Sequence, residues 1–219
     1  MNITQNTNEV ELLLEMIRKE LPRENWKPWP GGYPGEIEAA LIDAVLSIRA
    51  SYGSPENGVR GAVNRYRSHI GGDHTDDLTR LSGMDHELMS RVLNNQVTSG
   101  RTKASAIVEA AGNLVEAGVT DASDVDPLDP KQKKAYTSVH GLGWVTWEYF
   151  GMLLGKPGVK ADKWIVAAAS RAVGRKLSSV EARGLVLGAS EELNVSATTL
   201  DHALWAHERS RAADAIEII

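Results

Sequence analysis

Residues 139–147 read VHGLGWVTW: two glycines one residue apart, then an apolar, aromatic run. A glycine turn ahead of a helix can aim backbone amides at an anion, because the first amides of a helix have no carbonyl a turn earlier to donate to. Three constructions use such a turn. A dinucleotide fingerprint needs a third glycine and a preceding strand; here Thr146 and Trp147 stand where that glycine would fall, and the preceding KQKKAYTSV is helical in character. A P-loop ends in Gly-Lys-Ser/Thr, which does not follow here. The third construction is helix, short glycine hairpin, helix. It serves either as an anion site or as a plain tight turn between two packed helices.

Working outward, residues 131–176 carry nine basic side chains (Lys131, Lys133, Lys134, Lys156, Lys160, Lys163, Arg171, Arg175 and Lys176) against two acidic ones, Glu148 and Asp162. The segment is therefore +7 in a chain of net charge −5, which leaves −12 elsewhere. A local basic face can take phosphates on an acidic molecule; a solvated lysine surface is the plainer alternative.

Period-3.6 patterning dominates the rest of the chain. In 36–51, Ile37, Leu41, Ala44, Val45 and Ile48 fall on one face. Similar helices are predicted over 8–20, 56–69, 84–95, 102–117, 130–138, 144–154, 164–173, 179–193 and 197–215. Ser178 and Glu181 form a capping-box pair. KPWPGGYPG (27–35), HIGGDH (69–74), DPLDP (126–130) and GKPG (155–158) read as loops, and no strand pair is predicted. The fold class is all-α.

The absence of cysteine rules out disulfides, thiolate catalysis, cysteine-ligated zinc and an iron–sulfur cluster. The N-terminal MNITQNTNEV lacks the basic and apolar regions of a signal peptide. No apolar run approaches the roughly 20 residues that span a bilayer. The expectation is a cytoplasmic monomer with no membrane partner.

VHGLGWVTWEYFGMLLGKPGVKADKWIV (139–166) resembles the signature of the helix-hairpin-helix DNA glycosylase superfamily, the group of endonuclease III and the alkyladenine glycosylases. That signature is a hairpin of the form L-P-G-x-G, a helix, and then an aspartate opening another helix. Val139–Gly143 matches the hairpin, with His140 in place of proline, and Asp162 follows Gly143 by 19 residues. The likeness extends to EIEAALIDAVLSIRAS (36–51), similar to an early helix ending near the DNA wedge, to TSGRTKASAI (98–107), similar to a second DNA-inserting segment, and to LDHALWAHERS (200–210) in the late helix.

The resemblance implies two helical subdomains with a DNA-binding cleft between them. Residues 52–160 would form one, and 1–51 with 161–219 the other. It implies a duplex DNA partner and rotation of a damaged or mismatched base out of the stack. It makes Asp162 the candidate catalytic carboxylate, stabilising oxocarbenium-like charge on the sugar; the residue reads equally as a helix cap. DNA contacts are implied for Gly141, Leu142, Gly143, Val145, Thr146, Arg101, Lys103 and Lys160. Arg49 stands where the family has a wedge glutamine and also reads as a surface arginine. Trp144, Trp147 and Tyr52 are candidates for the base pocket, with at least one tryptophan expected in the core. Backbone carbonyls of Thr137, Val139 and Leu142 could hold a monovalent cation. No transition metal and no cofactor are expected: His202 and His207 are five apart, which is not one helical face.

One departure decides the reaction type. Relatives that also cut the strand carry a lysine two residues after the hairpin's last glycine. Val145 stands there and cannot act as a nucleophile. The expected activity is hydrolysis of the N-glycosidic bond by a monofunctional DNA glycosylase. The alternatives are a non-catalytic helix-hairpin-helix protein that binds DNA or a partner, and a helical scaffold without nucleic acid.

Overall fold

The computed structural model describes residues 3–50, 56–72 and 74–217. Among these the chain forms α1 (Ile3–Glu20), α2 (Ile37–Leu46), α3 (Gly58–Tyr66), α4 (Leu78–Ser82), α5 (His86–Val92), α6 (Lys103–Glu116), α7 (Pro130–Thr137), α8 (Trp144–Leu153), α9 (Lys163–Val173), α10 (Ser179–Glu192) and α11 (Ala197–Glu217). The fold is all-α with one small exception. β1 (Val97–Thr98) and β2 (Arg101–Thr102) pair as an antiparallel hairpin. Its turn residues Ser99 and Gly100 both take positive φ, 48° and 81°, the twist that a two-residue hairpin turn needs. Each strand is two residues long, too short to leave an alternating pattern.

The chain divides into two compact units, Met1–Pro30 with Pro157–Ile219, and Gly31–Lys156. The boundary departs from the one expected. Residues 31–50 do not group with the terminal helices, because α2 packs on α3, α6 and α8.

α2 is the axis of the unit Gly31–Lys156. All ten of its residues are buried, where one apolar face was expected. A helix buried all round must neutralise its polar groups internally. Glu38 accepts from Arg80 at 2.9 and 2.6 Å and from the Tyr66 hydroxyl at 2.8 Å. Asp43 accepts from the Tyr33 hydroxyl at 2.9 Å. The helix ends at Leu46, short of the predicted boundary, and a turn brings Arg49 to φ 51°.

In the other unit, α1 packs on α9 and α10, and α11 packs on the same two helices. Two arginines fasten α1. Arg171 pairs with Glu20 at 2.7 Å and with Glu208 at 3.1 Å. Arg175 pairs with Glu9 at 2.8 Å and with Glu181 at 2.9 Å. Ser178 and Glu181 complete the predicted capping box at the head of α10.

Candidate nucleic-acid interface

The hairpin is built by local chemistry. Asp129 caps α7 by accepting from Lys131 N–H at 2.7 Å, and Pro130 takes the first helical position, where no amide is needed. After α7 the chain reverses through Val139–Leu142, closed by the Leu142 amide donating to the Val139 carbonyl at 3.0 Å. Gly141 sits at the third position of that turn with φ 93°, a conformation that excludes most side chains. Space excludes them as well. A Cβ on Gly141 would meet Ser99 Oγ at 3.0 Å and the Thr98 methyl at 3.1 Å. The β1–β2 hairpin therefore lies directly against the glycine turn.

Gly143 differs. Its backbone is extended, at φ −134° and ψ 173°, and a Cβ added there meets nothing within 4 Å. The space beside it is open to a partner. α8 starts next, so the amides of Trp144 and Val145 have no carbonyl a turn behind them. These two amides are the donors that the hairpin would offer an anion. Thr146 is committed internally: its hydroxyl donates to the Gly143 carbonyl at 2.8 Å and accepts from the Gly143 amide at 3.3 Å.

Several expected contact residues have other work. Leu142 is buried and its amide closes the turn, so it offers the partner neither side chain nor N–H. Of the carbonyls considered for a monovalent cation, that of Val139 accepts this same bond. Trp147 is 2% exposed; its indole N–H donates to the Pro127 carbonyl at 3.1 Å, and its ring lies 5.5 Å from Tyr136 and 5.7 Å from Phe150. It is the core residue that locks α8 to α7 and lines no base pocket. Trp144, one turn back, is half-buried. Tyr52 lies outside the described residues.

Lys103 lies furthest from its expected place on the DNA-facing surface. It is 2% exposed, and its ammonium donates to the carbonyls of Leu46 at 2.9 Å and Ile48 at 2.6 Å and to Gln96 Oε1 at 2.7 Å. It cannot reach a phosphate. Burial pushes its pKa down to about 8. Arg101 is half-buried and bonded to Ser105 at 3.0 Å and to Glu109. Arg49 is exposed. The basic segment is also smaller than its composition indicates, because Arg171 and Arg175 are spent on α1 and on neighbouring carboxylates. Lys131, Lys133 and Lys134 on α7 are exposed.

In the other unit, Asp162 caps α9. Its Oδ1 accepts from Trp164 N–H at 2.8 Å and from Ile165 N–H at 3.4 Å. The cap uses one carboxylate oxygen of a half-buried side chain. Lys160 is half-buried two residues before it, and Lys163 lies 4.5 Å from the ring centre of Trp164. Trp164 carries no functional signal in the sequence, since a tryptophan inside an apolar helical run says nothing of its surroundings. Among the described residues, no three histidine or carboxylate side chains converge as a metal site.

The fold is shared with two solved structures. A structure of MBOgg1 in complex with a low-affinity DNA ligand aligns with a TM-score of 0.60 at 12% identity, over 97% of this chain and 72% of that one. A trapped endonuclease III–DNA covalent intermediate, an estranged-adenine complex, aligns with a TM-score of 0.55 at 14% identity, over 94% of this chain and 85% of that one. The chain itself belongs to the family described as Domain of unknown function (DUF8548), whose model matches residues 11–209. No curated protein matches it.

Proposed function

We propose that the protein is a monofunctional DNA glycosylase, which binds duplex DNA, turns a damaged or mismatched base out of the stack and hydrolyses its N-glycosidic bond. Asp162 carries the reading. It stands where the resembled glycosylase signature has its aspartate, after a glycine hairpin that leads into α8, and its cap occupies Oδ1 only. As the base departs, positive charge develops on the sugar. A carboxylate held rigidly by a helix N-terminus stabilises that charge and orients the attacking water, without having to reorganise during the reaction. Val145 at the lysine position means that no Schiff base forms there, so the product is an intact abasic site.

The test is a panel of duplexes, each with one lesion or mismatch, incubated with wild type and with Asp162→Asn. Strand breaks that appear only after alkali, from wild type and not from the variant, support the reading. The cap itself favours a second reading, a DNA-binding protein in which Asp162 serves helix α9 alone. Duplex binding without base release from any member of the panel would select it.

A further inference from the structure

Lys103 holds a buried ammonium against three neutral oxygens. Lysine is rarely buried so completely, because removing the charge from water is costly. The arrangement has a direction. One of the oxygens, on Leu46, is the carbonyl of the last residue of α2, where the helix dipole favours a cation, and another, on Ile48, lies in the turn just beyond. The third belongs to Gln96, the residue before β1. The backbone amide of Lys103 also donates to the Gln96 carbonyl at 2.8 Å. Lys103 thus grips the β1–β2 hairpin at its base and the α2 terminus at the same time. Arg49 follows Ile48 directly, exposed and left-handed, a conformation that a non-glycine residue keeps only where its surroundings enforce it. The hairpin in turn touches the glycine turn, through Thr98 and Gly141.

We propose that Lys103 is a positioning residue whose buried ammonium ties the 47–50 turn to the β1–β2 hairpin, so that Arg49 is held ready against duplex DNA. The role rests on the DNA reading above. Methionine would fill the same volume without the charge, but it would release both carbonyls and Gln96. The lowered pKa of Lys103 agrees with a site that keeps its charge at a cost.

The experiment is a double-mutant cycle on binding to a fluorescein-labelled duplex that carries a tetrahydrofuran abasic analogue, a probe independent of which base is excised. Lys103→Met and Arg49→Ala should each weaken binding roughly tenfold, and the double variant no more than either alone, because coupled residues are not additive. Losses that multiply in the double variant, or unchanged binding by Lys103→Met, would overturn the role. If Lys103→Met has no cooperative melt, Gln96→Ala replaces it: a smaller loss that disappears in the Arg49→Ala background supports the coupling, and a loss that persists there refutes it. Wild type that binds no duplex removes the DNA reading and this role together. Wild type that binds, with additive variants, removes only the role of Lys103.

Discussion

Gly141 and Thr98 are in contact across two hairpins: a Cβ built on the glycine would stand 3.1 Å from the threonine methyl. The glycine turn is thus braced from the side by a second element, and the two glycines of the turn serve different ends. Gly141→Ala should cost about 1–3 kcal/mol of stability, from positive φ and crowding together. Gly143→Ala should change stability by less than about 0.5 kcal/mol, because its backbone suits any residue. The same Gly143→Ala should still weaken duplex binding, since the new methyl occupies the open space beside the α8 amides. Urea melts and duplex titrations read the two effects separately. Equal binding by Gly143→Ala and wild type would take the turn out of the interface.

Asp162→Asn should lower base release by on the order of 10²-fold or more, equivalent to about 3 kcal/mol of barrier. Its stability should stay near wild type because asparagine also caps. Asp162→Ala should additionally lose the cap, at about 1 kcal/mol. Borohydride added during turnover should trap no covalent protein–DNA adduct. A trapped adduct would show that some lysine acts as a nucleophile despite Val145.

Salt dependence should separate the exposed lysines from the paired arginines. Each phosphate contact contributes a log–log slope of roughly −0.9. Replacing Lys131, Lys133 and Lys134 on α7 by glutamine should flatten the slope without changing lesion preference, because phosphate contacts position and do not specify. Arg171→Ala should leave the slope unchanged and lower the melting temperature, since its partners are Glu20 and Glu208. A flatter slope in Arg171→Ala would mean that this arginine leaves its pairs to meet DNA.

Lys103 also sets an alkaline signature. Its folded pKa lies near 8, below the ordinary 10.5. Between these values the unfolded chain binds the proton and the folded one does not, so stability rises as pH increases through that window. The gain is at most on the order of 3 kcal/mol. Tyr33, Tyr66 and Tyr136 oppose it above pH 10, because burial raises their phenol pKa values. Denaturant melts should show a rise from pH 8 toward 10 and then a decline. Lys103→Met should abolish the rise.

What is legible in the sequence is local. The glycine spacing and the capping box at Ser178 each act within a few residues, and both appear in the structure where the pattern puts them. What escapes is set by distant partners. Lys103 reads as a surface cation until α2 arrives with carbonyls 55 and 57 residues away. Glu38 and Asp43 read as solvent-facing positions of an amphipathic helix, yet Arg80, Tyr66 and Tyr33 let them be buried. Trp144 and Trp147 are equivalent in composition, and only the position of Pro127 and Tyr136 decides which one becomes core.

The clasp of α1 by Arg171 and Arg175 has a consequence for biosynthesis. Glu9 and Glu20 leave the ribosome long before the arginines that fasten them, 166 and 151 residues later. Residues Gly31–Lys156, a compact unit of their own, are complete first. Nascent α1, with Leu13, Leu14 and Ile17 on its apolar side, must therefore wait while the intervening unit completes, exposed to the chaperones that screen such surfaces. Closing so long a loop raises the entropic cost of its contacts only logarithmically, but it places them late in the folding order.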